Sequence, residues 1–284
     1  MSYVDAHFSP ERDMLYVVER VNGKRVFKEF PVNYTAYYED HNGRQDTIFN
    51  TKATKVTHRS KKKFNRELKL HSRKRIYEAD MNWTFRTLEN NYLDAEVPEL
   101  NICFFDIEVD FMPEKGFAPV TDPFASITAI SVYLQWVDSL ITLALIPPTL
   151  NVAEATKLAE EFENTWLYES EDELLKTFLD LIDDVDVLSG WNSEGFDIPY
   201  IVNRVTLVLG KHYTRKLCLW DLYPKPRTFI RYGNEQESFD IIGRLHLDYL
   251  ELYRKYTYHE MHSYALDAIG EYEVGEHKIA YEGS

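Results

Sequence analysis

The sequence predicts a mixed α/β fold: a mixed sheet flanked by helices, preceded by a smaller α+β unit. Three observations carry this. From residue 100 onward, three apolar strand-like runs are followed by alternating helical and strand-like segments, the pattern of a sheet with helices packed on it. The first hundred residues instead show short alternating runs around a hairpin signal, with two helical stretches. Between them, near Leu93–Glu99, the composition shifts and Pro98 punctuates the chain. The expected division is therefore 1–98 and 99–284.

In the first part, Leu15–Glu19 and Arg25–Phe30 read as strands joined at Asn22-Gly23, the dipeptide that favours a two-residue hairpin. Lys61–His71 reads as a basic helix, Arg75–Glu78 as a strand and Trp83–Tyr92 as a short helix. In the second part, strands are expected over 101–109, 126–135 and 140–146. Asn151–Trp166 and Glu171–Asp183 have helical apolar spacing, and Val185–Gly190 reads as a short buried strand. Ile198–Leu209 follows as a helix with Pro199 in its first turn, where proline is tolerated. Leu245–Tyr253 and Tyr264–Ile269 are further helix candidates. No repeat or low-complexity segment is present.

The 284 residues, 44% of them hydrophobic, are enough for a sizeable core. The start has no basic segment followed by an apolar one, so no signal peptide is expected. The apolar stretch Leu140–Leu150 is too short to span a bilayer and contains Pro147 and Pro148, so no membrane association is expected. Cys103 and Cys218 form no disulfide framework, and a reducing compartment is the default. The net charge of −15 hides an asymmetry: residues 51–75 hold eleven Lys or Arg against one acid, Glu67. That stretch is +10 and the remainder −25. Lys61, Lys62 and Lys63 lie at its centre. Two readings are open, a solvated basic helix face or a patch that contacts phosphates.

Two segments carry chemistry. Asn101-Ile-Cys-Phe-Phe-Asp-Ile-Glu-Val109 is an apolar run that ends in Asp106 and Glu108. Residues i and i+2 of a strand share a face, so the two carboxylates project together. Like charges this close resist joint ionisation unless a cation is near. The other is Leu188-Ser-Gly-Trp-Asn-Ser-Glu-Gly-Phe-Asp-Ile-Pro-Tyr200, where Asp197 falls at a strand-to-helix turn. Asp197 suits either a ligand role or a plain helix N-cap. Asn192 and Phe196 suit a turn residue and a core residue. An all-oxygen donor set favours Mg²⁺ or Mn²⁺. No zinc-type His/Cys cluster, Gly-rich phosphate loop or G-x-S-x-G motif occurs, which removes support for kinase-like and serine-hydrolase readings.

With these segments in view, Phe105-Asp-Ile-Glu-Val109 and Ser189–Tyr200 resemble the first and second exonuclease motifs of family-B DNA polymerases, of the large tailed bacteriophage type. Supporting stretches are Gly116-Phe117, Asp122–Ile130, Leu247–Lys255 and His262–Asp267. The resemblance covers roughly 95–284 well and the earlier residues only in general character. It implies a ribonuclease-H-like 3′–5′ proofreading exonuclease domain behind an N-terminal polymerase domain. It implies a two-metal site of Mg²⁺ or Mn²⁺ in which Asp106 bridges the ions, Glu108 binds one and helps orient water, and Asp197 holds the other. The reaction implied is hydrolysis of DNA 3′-terminal phosphodiesters. Phe117 and Phe196 become candidates to stack on terminal bases, although core packing is the stronger reading for Phe196 and an equal one for Phe117. Asn192 could hydrogen-bond near the terminal nucleotide or shape the turn. Asp248 and Asp267 fall in structural segments of the family and are not expected to be ligands.

The family's third exonuclease motif, a Tyr three or four residues before an Asp on a helix, lies beyond the family segment that Lys278-Ile-Ala-Tyr-Glu-Gly283 resembles. Tyr264 and Asp267 mimic its spacing, but their surroundings match the preceding segment. The expectation is a chain that is a weak nuclease alone, its site completed by a downstream segment or a second polymerase chain. The resemblance also implies DNA as partner, with replication accessory proteins, in the cytoplasm of an infected bacterial host. The alternative is a nucleic-acid-binding module with an inactive nuclease fold. A stand-alone proofreading exonuclease fits less well, given the large N-terminal region.

Overall fold

A computed structural model describes residues 2–231 and 233–279. It divides into two compact units, Met1–Leu100 and Asn101–Ser284. Ala280–Gly283 of the family-like terminal segment lie outside the described residues.

The first unit begins with β1 (Tyr3–Ser9), β2 (Met14–Val21) and β3 (Lys24–Pro31), an antiparallel sheet. The β2–β3 turn is Asn22-Gly23 with φ of 51° and 72°. Both central residues are left-handed, the geometry that matches the strand twist and that this dipeptide tolerates. A second sheet follows, from β4 (Tyr34–Glu39), β5 (Gln45–Asp46), β6 (Lys52–His58) and β7 (Ile76–Tyr77), in the order β5-β6-β4-β7. Helices α1 (Lys61–Leu70) and α2 (Trp83–Tyr92) pack on this scaffold. The basic helix is anchored by Phe64, its one buried residue. Phe64, Tyr34 and Trp83 form a ring cluster with centroids 4.9–5.9 Å apart, a contact worth more than its area alone. Tyr34 donates to Asp13 at 2.5 Å and Tyr92 to the buried Glu19 at 2.6 Å. Those bonds satisfy polar groups that burial would otherwise penalise.

The second unit is a six-stranded mixed sheet in the order β11-β10-β9-β8-β12-β15, flanked by helices. Its strands are β8 (Ile102–Val109), β9 (Ile127–Leu134), β10 (Ser139–Leu145), β11 (Thr165–Tyr168), β12 (Val187–Gly190) and β15 (Leu245–Asp248). β8 pairs antiparallel with β9 and parallel with β12, which in turn pairs parallel with β15. Helices α3 (Val152–Ala159), α4 (Glu171–Leu181) and α5 (Asp197–Val208) belong to the crossovers. A hairpin of β13 (Lys225–Arg231) and β14 (Asn234–Asp240) precedes β15, and α6 (Tyr249–Tyr256) and α7 (Leu266–Val274) close the unit.

β8 shows the expected alternation. Cys103, Phe105 and Ile107 are buried, while Phe104, Asp106 and Glu108 face outward. Phe105 meets Phe178 of α4 with ring centroids 6.3 Å apart. The core continues through Ile130, Val132, Leu143, Leu174, Ile198 and Ile201. Arg204 of α5 forks onto Glu171 of α4 with two bonds of 2.6 Å. Glu171 also accepts from the Ile127 amide at 2.9 Å. This pair, about one-tenth exposed on each side, fixes both helices against the start of β9, and its planar two-point geometry suits a shielded carboxylate.

Three expectations are corrected. The segment 151–166 is a helix only to Ala159, and Thr165–Tyr168 pairs as β11 on β10. Glu160, Glu161 and Glu163 crowd the negative end of the helix dipole, which disfavours continuation, and Asn164 turns the chain at φ 60°. Leu245–Tyr253 is half strand: Leu245–Asp248 pairs with β12, and Asp248 then caps α6 by accepting from the Leu250 amide at 3.0 Å. The last helix begins at Leu266 and runs to Val274. Strands β1, β4, β6 and the β13–β14 hairpin have no counterpart in the sequence reading.

Phe178 is 1% exposed. Phe178→Ala is expected to lower unfolding free energy by about 3–5 kcal/mol, read as a shifted urea midpoint. The exposed Lys62→Ala on α1 should change it by less than about 0.5 kcal/mol.

Candidate functional site

Asp106 and Glu108 stand on the outward face of β8, past the point where β12 stops pairing with it. β12 ends at Gly190 and the chain turns through 191–196 into α5. Phe196, not Asp197, occupies the N-cap; Asp197 is the first helical residue. Its Oδ1 accepts from the Ile107 amide at 3.2 Å. Ile107 lies between Asp106 and Glu108 in the chain, so this bond ties Asp197 to the segment that bears both, ninety residues away in sequence, with Asp106 near enough to act on it.

Asp197 is 3% exposed. Burial and the neighbouring Asp106 push its carboxyl up to about 7, against the Ile107 bond and the helix start, which both favour the anion. Burial, then Glu108, also raises Asp106. The acids thus repel in the absence of a cation. Consistent with this, among the described residues no three His, Cys, Asp or Glu side chains are close enough together to enclose an ion. Lys278 partly offsets the repulsion on Asp106. The donor chemistry of the three acids, oxygen only, fits a hard divalent ion.

Beside Asp106 lies a groove of about 370 Å³ lined mainly by Phe104, Phe105, Tyr133, Trp191 and Tyr249. Phe104 and Tyr133 stack with centroids 6.4 Å apart. The site therefore pairs acids with an apolar, aromatic wall.

The aromatic candidates separate. Phe117 is 82% exposed in the loop between β8 and β9, in contact with Phe111 at 4.9 Å. Phe196 packs against the core and lies 5.3 Å from Tyr200, the position of a packing residue. Asn192 adopts φ 60° and its side-chain oxygen accepts from Arg231. It shapes the turn. Asp248 accepts from the amides of Asn192 and Glu194, each at 3.1 Å, as well as capping α6, and is a structural acid. Asp267, in the first turn of α7, accepts from the Lys278 amide at 2.6 Å. Lys61, Lys62 and Lys63 are exposed on the first turn of α1 in the other unit. His246 was not anticipated: it is half-buried, contacts Ser193 Oγ at 2.9 Å, and loss of solvent around it pushes its imidazole down to about 4. Nor was Arg231, which the sequence places among unremarkable polar residues.

The family described as DNA polymerase family B, exonuclease domain, matches residues 48–269. This chain belongs to that family. It is 31% identical over 209 residues to the DNA-directed DNA polymerase of Escherichia phage RB69, covering 65% of this chain and 22% of that one. It is 34% identical over 97 residues to the DNA-directed DNA polymerase of Enterobacteria phage T4, covering 34% and 11%. It is 34% identical over 118 residues to the DNA polymerase catalytic subunit of Saimiriine herpesvirus 2, covering 40% and 11%. The chain thus spans at most about a fifth of the length of these relatives. The ribonuclease-H-like mixed sheet is the expected architecture of a family-B exonuclease domain. Among the described residues, no helix is long and apolar enough to cross a membrane.

Asp197 and His246 set opposing pH dependences. The folded state holds a proton on Asp197 between about pH 4 and 7 that the unfolded chain has released, so this group makes the fold less stable as pH rises through that window. His246 does the reverse: the unfolded chain binds a proton between about pH 6.5 and 4 that the folded state rejects, so stability falls as pH falls. The two slopes oppose each other in the overlap. Asp197→Asn without added cation should raise stability at pH 7 by about 2–4 kcal/mol and steepen the loss on acidification. His246→Gln should flatten that loss. Urea unfolding at half-unit pH steps checks both.

Proposed function

We propose that the 101–284 unit carries a proofreading 3′–5′ exonuclease site that hydrolyses DNA 3′-terminal phosphodiesters, in the N-terminal part of a viral DNA polymerase. The observation that supports this is the bond from the Ile107 amide to Asp197, which ties the second motif's acid to the strand segment that bears the two acids of the first. Asp106, Glu108 and Asp197 would hold Mg²⁺ or Mn²⁺. Bound there, such an ion supplies Lewis-acid stabilisation of phosphate charge and activates water.

The chain's own residues do the rest. β8 presents Asp106 and Glu108 on one face, and α5 carries Asp197 to the Ile107 amide. The aromatic groove next to Asp106 offers flat apolar surface to a terminal base, and Phe117 is free to stack from its loop. In this reading the partners are a single-stranded DNA 3′ end and further polymerase polypeptide, in the same or a second chain. That polypeptide brings the Tyr and Asp of the third motif; replication accessory proteins and the host-cell cytoplasm complete the setting. The expected product is a 5′-mononucleotide.

A second reading, a nucleic-acid-binding module with an inactive nuclease fold, is favoured by the exposed Lys61, Lys62 and Lys63. Calorimetry with Mn²⁺ and gel assays of single-stranded DNA hydrolysis, with and without added downstream polypeptide, separate the two. The first reading expects Mn²⁺ binding that Asp106→Ala removes, and hydrolysis that the same change lowers by about two to three orders of magnitude. Metal-indifferent DNA binding that weakens steeply with salt and responds only to Lys61–Lys63 changes would establish the second instead.

A further inference from the structure

The turn that delivers Asp197 does not hold itself. Asn192 sits in the left-handed region, and its carbonyl accepts from the amides of Gly195 and Phe196 at 3.0 and 3.1 Å. Its peptide is therefore the first step of the helical path into α5, and a shift at Asn192 is passed to Asp197. Two backbone amides of this turn, Asn192 and Glu194, point at one carboxylate, Asp248, on β15. A third bond from the Leu250 amide fixes Asp248 in turn. Asp248 is only 7% exposed. A buried carboxylate needs a cation or it is strongly disfavoured.

That cation is Arg231, at the end of β13. One guanidinium nitrogen lies 3.4 Å from Asp248 Oδ2 and 2.6 Å from Glu251 Oε1. The other donates to the Asn192 side-chain oxygen. The side chain is 7% exposed. Gly195 is what lets it in: a Cβ there would lie 2.9 Å from Arg231 Nη1 and 3.0 Å from Asn192 Oδ1. On the same face of β13, Arg227 pairs with Glu194 and, at 2.7 Å, with Asp240. The hairpin is thus ionically pinned to the turn.

We infer that Arg231 is a positioning residue for Asp197, acting through Asn192 and Asp248. This rests on the exonuclease reading for its functional meaning, but its geometry can be tested without it. Arg231 makes no bond to Asp197 in this arrangement. It holds the turn's backbone so that Asp197 reaches the Ile107 amide. A guanidinium is suited to this, since its planar fork serves an amide oxygen and two carboxylates at once, whereas an ammonium is a point charge.

The test is amide hydrogen exchange on the whole chain, with Mn²⁺ titration in parallel. Arg231→Met should raise exchange at Ile107, Asn192 and Glu194 by about tenfold or more, with Val132 in the sheet core unchanged. It should also weaken Mn²⁺ binding by about tenfold. Arg231→Lys should recover part of both losses. Gly195→Ala, which crowds the guanidinium without removing its charge, should reproduce the Ile107 effect and covers the case in which Arg231→Met does not fold. Unchanged Ile107 exchange, or a rise shared equally by Val132, overturns the inference. Absence of Mn²⁺ binding in the unsubstituted chain would overturn the exonuclease reading alone, because the Ile107 amide still reports on the positioning.

Discussion

The site rests on one contact, the backbone amide of Ile107 donating to Asp197. It joins two segments whose side chains would otherwise drive apart, since Asp197 and Asp106 repel and burial penalises both. A single amide hydrogen bond contributes on the order of 1 kcal/mol net, less than the penalty on the buried charge. The contact persists only because the protein on either side is over-determined. On one side β8 is clamped between β9 and β12, with Cys103, Phe105 and Ile107 sunk in the core. On the other, the turn before α5 is held by Asp248, Arg231 and the Ser193–His246 pair.

This division assigns separate tasks to separate interactions. Hydrophobic packing sets where the strand and helix run, and it tolerates no large shift because the interior is close-packed. The Arg204–Glu171 fork fixes α5 relative to α4 and β9 at a second point, about two helical turns beyond Asp197. The polar cluster on the far side then sets the remaining freedom, the rotation of the turn itself. The consequence is electrostatic repulsion between Asp106 and Asp197 held on a stiff frame. A conformation that relieved the repulsion would have to break the frame.

The sequence made some of this plain for identifiable reasons. Asn22-Gly23 encodes its turn locally, because few dipeptides accept two left-handed residues. Trp83–Tyr92 and Glu171–Leu181 have apolar positions at helical spacing and acceptable starts. β8 is legible because its alternation is strong and its acids fall on the polar phase. Other elements were hidden. β13 and β14 read Lys-Pro-Arg-Thr-Phe-Ile-Arg and Asn-Glu-Gln-Glu-Ser-Phe-Asp, with a proline and few apolar residues, so pairing and ion contacts stabilise them rather than a buried face. β11 and β15 are four residues long, too short for periodicity to separate strand from helix, and only a neighbouring strand settles which they are.

By itself the sequence determined the mixed α/β class, the pairing of Asp106 with Glu108 on one strand face, and the strand-to-helix turn bearing Asp197. These follow from local periodicity and turn chemistry, which act between residues near in the chain. Only the tertiary structure decided that Phe196 is the cap and packs inward, and that Asn192 accepts a bond from Arg231. The same holds for Asp248 as an anchor of the turn and for the Ile107 amide as the partner of Asp197. Those outcomes depend on distances between residues tens of positions apart and on how much water each carboxylate keeps, and neither quantity exists until the chain has folded.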